Sequence, residues 1–358
     1  MLCDLALQYE EDRDWGEGCK RALTSLILSF LMGIMKVLFI TSTRLGDAVL
    51  STGLLEHLLQ QNPNARVTVA CGPLPQSLFE GFANVERIIP LKKEKRHGHW
   101  MKLWKAVIGT RWDMVIDLRD SAVSRLIRAD KRFIFGKGID KSKHKVEQAA
   151  ATMKLLQVPA PKLYFTPAQD AFAKALIPSG NSVIGVGPSA NWIGKTWPAE
   201  KFIELVAWLT SNDGILPNAR VAVFAAPGEE AQAKPVLDSI LEERRIDGIA
   251  KGNPAEIAAA LSRCDFYVGN DSGLMHAAAA AGVPTVGLFG PSYPHLYAPY
   301  GDHTAYAQTP ETFDQLIDFE GYTPQSLTDT LMHSLSVEVV QSTITEFWTS
   351  EPYSFKSL

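Results

Sequence analysis

Two series of short apolar runs, each run followed by a helix-like segment of about ten residues, limit this chain to a few folds. The first series reads as strands at 37–41, 66–71, 87–90, 113–118 and 132–135, with helical patterns at 48–60, 99–108 and 121–128. The second reads as strands at 182–186, 220–225, 248–251, 266–268 and 285–289, with helices at 199–209, 229–243, 255–261 and 274–281. Near-continuous apolar strands separated by helices belong to parallel sheets covered on both faces. The stretch from Gln157 to Pro178 carries prolines at 159, 161, 167 and 178 and divides the series. The predicted fold is therefore α/β, with two Rossmann-like doubly wound domains facing a central cleft. The predicted boundaries are 35–170 for the first domain and 171–322 for the second, with a helical tail at 323–358 packing back on the first. No internal repeat is evident.

Residues 1–34 stand apart. They combine an acidic piece (Glu10, Glu11, Asp12, Asp14) with an apolar stretch, Leu26–Met32, too short to span a bilayer and without a small-residue cleavage site. This reads as a loose extension, with a translation start at Met35 as the favoured explanation and a membrane-touching amphipathic segment as the alternative. The four cysteines are widely spaced and the eight histidines show no HExxH spacing, which argues for a reducing compartment and against a disulfide framework or zinc knuckle. Net charge is −4 but uneven: residues 36–150 hold 20 Lys+Arg against 11 Asp+Glu, and the remainder 15 against 28. A basic first half suits an anionic partner, though scattered solvated surface would give the same balance.

Chemistry concentrates where strands end and helices begin. Gly269-Asn270-Asp271-Ser272-Gly273-Leu274-Met275-His276 follows an apolar run and precedes an alanine-rich helix. Free N–H groups and the helix dipole at such a turn favour an anion, and nucleotide phosphates fit it. Earlier in the same half, Ser189 ends a strand and is a candidate phosphate donor. Lys195 precedes a helix opened by Pro198 and offers a cation at the same edge. In the first half, Arg44-Leu45-Gly46-Asp47 replaces a glycine-rich turn. Asp47 reads either as a helix cap, which the local pattern favours, or as a general base facing the cleft.

Four blocks together resemble glycosyltransferase family 9, the bacterial ADP-heptose:lipopolysaccharide heptosyltransferases: Arg44–Asp47, Lys195–Phe202, Asp271–His276 and Leu288-Phe289-Gly290-Pro291-Ser292. The resemblance implies a GT-B architecture with an N-terminal acceptor domain, a C-terminal nucleotide-sugar domain, no required metal and no cofactor beyond the donor substrate. It implies Asp47 as the base, Lys195, Ser272 and Gly273 on the pyrophosphate, Glu229 on the ribose and Asp271 on the donor sugar. Arg44 and Gly46 are acceptor- or phosphate-side candidates. His276 either lines the site or is a buried histidine bonded to backbone. Lys92–Trp104, without a recognisable acceptor motif, is expected to decide the acceptor.

The expected activity is inverting, metal-independent transfer of a sugar, heptose from ADP-heptose, to a lipopolysaccharide-core glycolipid. The expected partners are that donor and an anionic glycolipid at a membrane surface, with no nucleic acid and no transmembrane segment. The expected location is cytoplasmic, peripheral on the inner face of the inner membrane. Two other classes fit the same pattern, a nucleotide-sugar epimerase and a non-catalytic nucleotide-sugar or nucleic-acid binding module.

Overall fold

The computed structural model describes residues 34–319, 322–323 and 327–350, so the expectations for residues 1–33 and for the last residues of the tail lie outside the described residues. The first sheet contains β1 (Met35–Ile40), β2 (Ala65–Cys71), β3 (Val85–Pro90), β4 (Trp112–Asp117) and β5 (Ala129–Ile134) in the order β3-β2-β1-β4-β5. Every neighbouring pair in it is parallel, with Met35 opposite Ala65 and Val37 opposite Met114. The second contains β6 (Val183–Gly187), β7 (Arg220–Ala225), β8 (Arg245–Ile249), β9 (Phe266–Asn270), β10 (Thr285–Phe289) and β11 (Thr304–Gln308) in the order β11-β10-β9-β6-β7-β8, again all parallel.

Alternation along the strands explains the double winding. In β1, Val37 and Phe39 enter one core while Leu38 and Ile40 enter another on the opposite face. In β9, Phe266 and Val268 face a third core while Tyr267 turns to the first. That first core takes buried residues from both halves, so the domains share apolar packing instead of merely touching. Successive residues of a strand point to opposite faces, so an uninterrupted apolar run needs a covered surface on each side.

Several features differ from the sequence expectation. The helix expected over 48–60 is two, α1 (Leu45–Leu50) and α2 (Thr52–Gln61). The hydroxyls of Ser51 and Thr52 donate to the carbonyls of Ala48 and Val49, each at 2.7 Å, which competes with the helical ladder there. Helices α3 (Gly98–Val107) and α4 (Val123–Leu126) follow in the first half. Two further helices, α5 (Lys145–Thr152) and α6 (Pro167–Leu176), lie where no helix was expected, the latter opened by a Thr166/Gln169 capping box inside the proline-marked connection. Alongside α7 (Ala199–Leu209), the helix expected over 229–243 is shorter, α8 (Glu230–Ser239). Strand β11 was not expected. After α9 (Pro254–Leu261), α10 (Gly273–Ala280), α11 (Pro294–Tyr297) and α12 (Phe313–Ile317), the tail forms α13 (Val337–Thr349).

The described part of the tail packs on the second domain. Val340, Ile344, Phe347 and Trp348 complete the second domain's core, with Trp348 edge-on to Phe266 at 5.8 Å. Its approach also braces the loop before α7: Leu331 N–H donates to Gly194 O (3.1 Å), and Trp197 Nε1 donates to Leu335 O (2.9 Å). No helix of the described residues is long and apolar enough to cross a membrane.

Candidate active site

A doubly wound sheet binds ligands beyond the carboxyl ends of its strands, where the strand order reverses. Here that point lies between β1 and β4 in one sheet and between β6 and β9 in the other. The two points face each other, because the starts of α1 and α10 abut. A Cβ added to Gly46 would lie 2.9 Å from His276 Cδ2, and one added to Gly273 would lie 2.8 Å from Leu45 Cδ2. Two glycines, one from each half, thus allow two helix N-termini to meet.

On the first side, a cavity of about 260 Å³ opens at the β1/β4 edge and is lined by Ser42, Asp47, Arg119, Lys145, Gln148 and, from the other half, Tyr297, among others. Asp47 is the third residue of α1, not its cap; Arg44 holds the cap position and no side chain caps that end. The Asp47 carboxylate instead accepts from Ser42 Oγ (3.3 Å). Ser42 Oγ in turn accepts from Arg44 N–H (3.2 Å) and Arg119 Nη1 (3.3 Å). The half-buried carboxylate is therefore aimed by a hydroxyl that two donors orient. Lys145 donates to Gln148 Oε1 (3.3 Å) and lies over the Tyr297 ring at 5.5 Å. None of Lys92–Trp104 lines this cavity; Arg119 and Lys145 are the cations beside Asp47.

On the second side, Lys195 is ion-paired with the buried Asp271 across the β6/β9 edge. Asn270 ties that edge together: its Oδ1 accepts from Trp197 N–H (3.1 Å) and its Nδ2 donates to Pro188 O (2.9 Å). Ser272 sits at the cap of α10, yet its hydroxyl caps nothing, and the helix has no acid in its first turn. Ser272 Oγ is buried without a hydrogen-bond partner, as are His276 Nδ1 and Ser292 Oγ. Buried polar atoms are nearly always paired, so an unpaired hydroxyl at a helix start suits a polar ligand.

Ser189 is fully buried and its hydroxyl donates to Glu229 Oε2 (2.7 Å), so it fixes Glu229. His276 is buried against Gly46, and its Nδ1 lacks the backbone bond that a purely structural histidine would make. Burial pushes its pKa down to about 4, a shift that Asp271 opposes, His144 deepens, Asp47 opposes and Lys195 deepens. The ring is neutral at pH 7, and charged groups of both halves surround it. Tyr297, which the sequence reading did not single out, has its phenol pKa raised by burial and then by Asp47, with Arg44 lowering it and Asp271 raising it again. It lines both the cavity that holds Asp47 and one that holds Lys195. Its signal was weak, a lone tyrosine five residues past the Leu288–Ser292 block. Ser42 and Arg119 were missed for a similar reason, since only sheet order brings the end of β4 beside the end of β1.

The family model for glycosyltransferase family 9 (heptosyltransferase) matches residues 138–315. The chain belongs to this family and is a glycosyltransferase. It is 27% identical over 308 residues to lipooligosaccharide heptosyltransferase 2 of Haemophilus influenzae, covering 75% of this chain and 87% of the relative. The crystal structure of a family 9 glycosyl transferase from Veillonella parvula superposes with a TM-score of 0.70 at 21% identity, over 88% of this chain and 98% of that one. The structure of E. coli ADP-heptose lps heptosyltransferase II superposes at 0.65 and 21%, over 87% and 98%. These likenesses place the fold among GT-B heptosyltransferases. Among the described residues of this chain, no three or more His, Cys, Asp or Glu side chains gather as a metal-binding group.

Proposed function

We propose that this glycosyltransferase moves heptose from ADP-heptose to a lipopolysaccharide-core acceptor with inversion at the anomeric carbon and without a divalent ion. The observation that carries the reading is the meeting of the two switch points: an oriented carboxylate on one side, and on the other a lysine beside an uncapped helix start with an unpartnered hydroxyl. The acceptor hydroxyl binds on the Asp47 side and gives its proton to Asp47 as its oxygen attacks the anomeric carbon. The bond to the diphosphate breaks on the opposite face, and the growing negative charge falls on Lys195, Ser272 and the α10 N–H groups. Charge that appears only in the transition state is met by donors already in place.

The Lys195–Asp271 pair gives each residue a second role. On donor binding, Lys195 turns to the diphosphate and Asp271 is released to the sugar hydroxyls. Glu229, held by Ser189, lies one strand further along the edge, suited to a ribose. Arg119 and Lys145 beside Asp47 support an anionic acceptor. Such an acceptor is a glycolipid at the cytoplasmic face of the inner membrane, where the enzyme works as a peripheral protein.

The test is transfer from ADP-heptose to truncated lipopolysaccharide extracted from cells deleted for this gene, with and without chelator. Product of inverted configuration that forms equally in chelator supports the reading. Transfer abolished by chelator and restored by a metal removes the ion-free mechanism. Failure of the chain to bind ADP removes the donor.

A further inference from the structure

A second cavity, of about 300 Å³, shares Tyr297 with the cavity that Asp47 lines. Its wall is aromatic: Trp192 follows β6, Tyr293 and Tyr297 follow β10, and Phe313 belongs to α12. Tyr293 and Phe313 pack with centroids 4.9 Å apart. Trp192, Tyr293 and Phe313 belong to none of the three hydrophobic cores, and Tyr293 keeps 38% of its surface exposed. The polar members of the lining are Lys195 and Ser292. Ser292 is 92% buried, as its 8% exposure leaves it, and its Oγ has no hydrogen-bond partner.

Strand order tells which part of a substrate reaches this cavity. Along the carboxyl edge the loops succeed one another as β10, β9, β6, β7. Lys195 and Ser272 occupy the middle, Glu229 lies toward β7 and the aromatic cavity toward β10. A sugar nucleotide laid across the edge with its ribose at Glu229 therefore extends its sugar end toward the aromatic wall. A pyranose fits such a wall. Its axial C–H bonds present a weakly positive, apolar face to the negative face of an aromatic ring, and its equatorial hydroxyls need polar partners. Ser292 Oγ, buried and unpaired in the lining, supplies one. The volume, near the lower end of the roughly 300–1,000 Å³ range of small-molecule sites, suits one ring.

We propose that this aromatic pocket is a pyranose-stacking subsite, with Tyr293 and Phe313 as its platform and Ser292 as a hydroxyl partner. It selects the ring of the sugar being transferred or of the sugar that receives it. The proposal rests on the donor reading above.

The test is calorimetric binding of ADP, ADP-heptose and truncated lipopolysaccharide from the deletion strain to wild type, Tyr293→Ala, Phe313→Ala and Tyr293→Phe, with circular dichroism to check folding. Either alanine variant should bind ADP within about twofold of wild type and lose about tenfold for one sugar-bearing ligand, the size of an aromatic contact. Loss for ADP-heptose identifies the transferred ring, and loss for the glycolipid the receiving ring. Tyr293→Phe, which keeps the ring, should match wild type. The subsite is overturned if ADP itself weakens as much as ADP-heptose, since the pocket then holds the base. It is also overturned if no ligand weakens in either alanine variant. A wild-type chain that binds no ADP overturns the donor reading, and the subsite with it.

Discussion

The corners at Ser42–Asp47 and Asn270–His276 are built alike and behave differently. Each follows a strand at its sheet's switch point, opens a helix with no side-chain cap, and holds a glycine against the other. The first helix carries its own carboxylate, Asp47, in its opening turn, whereas the second carries no acid there and leaves the Ser272 hydroxyl unpaired. A helix start draws negative charge. At the first corner the acid lies inside the helix's opening turn; at the second the acid, Asp271, precedes the cap and is paired with Lys195. In the proposed reaction this difference separates proton removal from leaving-group binding.

The contrast breaks most directly at Asp47. Replacing Asp47 by Ala should lower transfer by about 10²–10⁴ while ADP affinity stays near wild type. Single-turnover rates and calorimetry measure the two separately, and a variant that keeps its rate would strip Asp47 of its role. Next in size is the histidine where the corners meet. An unfolded His276 titrates near 6.5, whereas the folded ring does so near 4. The unfolded chain therefore binds more protons between these values, so stability is full above pH 6.5 and falls as pH drops toward 4. The loss amounts to about 3 kcal/mol from His276; His144, whose pKa is also lowered by burial, acts in the same direction. Urea unfolding between pH 7.5 and 4.5 measures this, and the slope should flatten in His276→Gln.

On the binding side, Lys195→Met should weaken ADP by about 1.5–3 kcal/mol, the worth of a charge-assisted hydrogen bond. Unchanged ADP affinity would mean that Lys195 serves only Asp271. The smallest effect sharpens the contrast. Ser42→Ala should cost about 0.5–1.5 kcal/mol of transition-state stabilisation by loosening Asp47. It should leave ADP affinity untouched; a fall in ADP affinity instead would show that the two corners do not divide the work.

Much of this was legible beforehand. Near-continuous apolar runs located ten of the strands, because the central strands, covered on both faces, leave little room for polar residues. The turn from Gly269 to His276 was legible for the same reason, since polar residues packed between an apolar run and an alanine-rich helix have few other uses. Less visible were elements whose signals compete or are faint: the break at Ser51, the helices at 145–152 and 167–176, and edge strand β11, only one of whose residues is buried.

What the chain's order alone determined is the alternation of elements, hence two parallel sheets, and which residues end each strand. Which strand ends become neighbours was decided by tertiary packing. Ser42 meets Arg119 because β1 lies beside β4, and Ser189 turns to Glu229 because β6 lies beside β7. Tyr297 reaches the cavity beside Asp47 because Gly46 and Gly273 let the halves touch, and the tail braces the Lys195 loop because the second core had an uncovered face. The physical reason is range: a strand's burial pattern is written in adjacent residues, whereas a hydrogen bond between residues 77 or 138 positions apart exists only once the chain has chosen its neighbours.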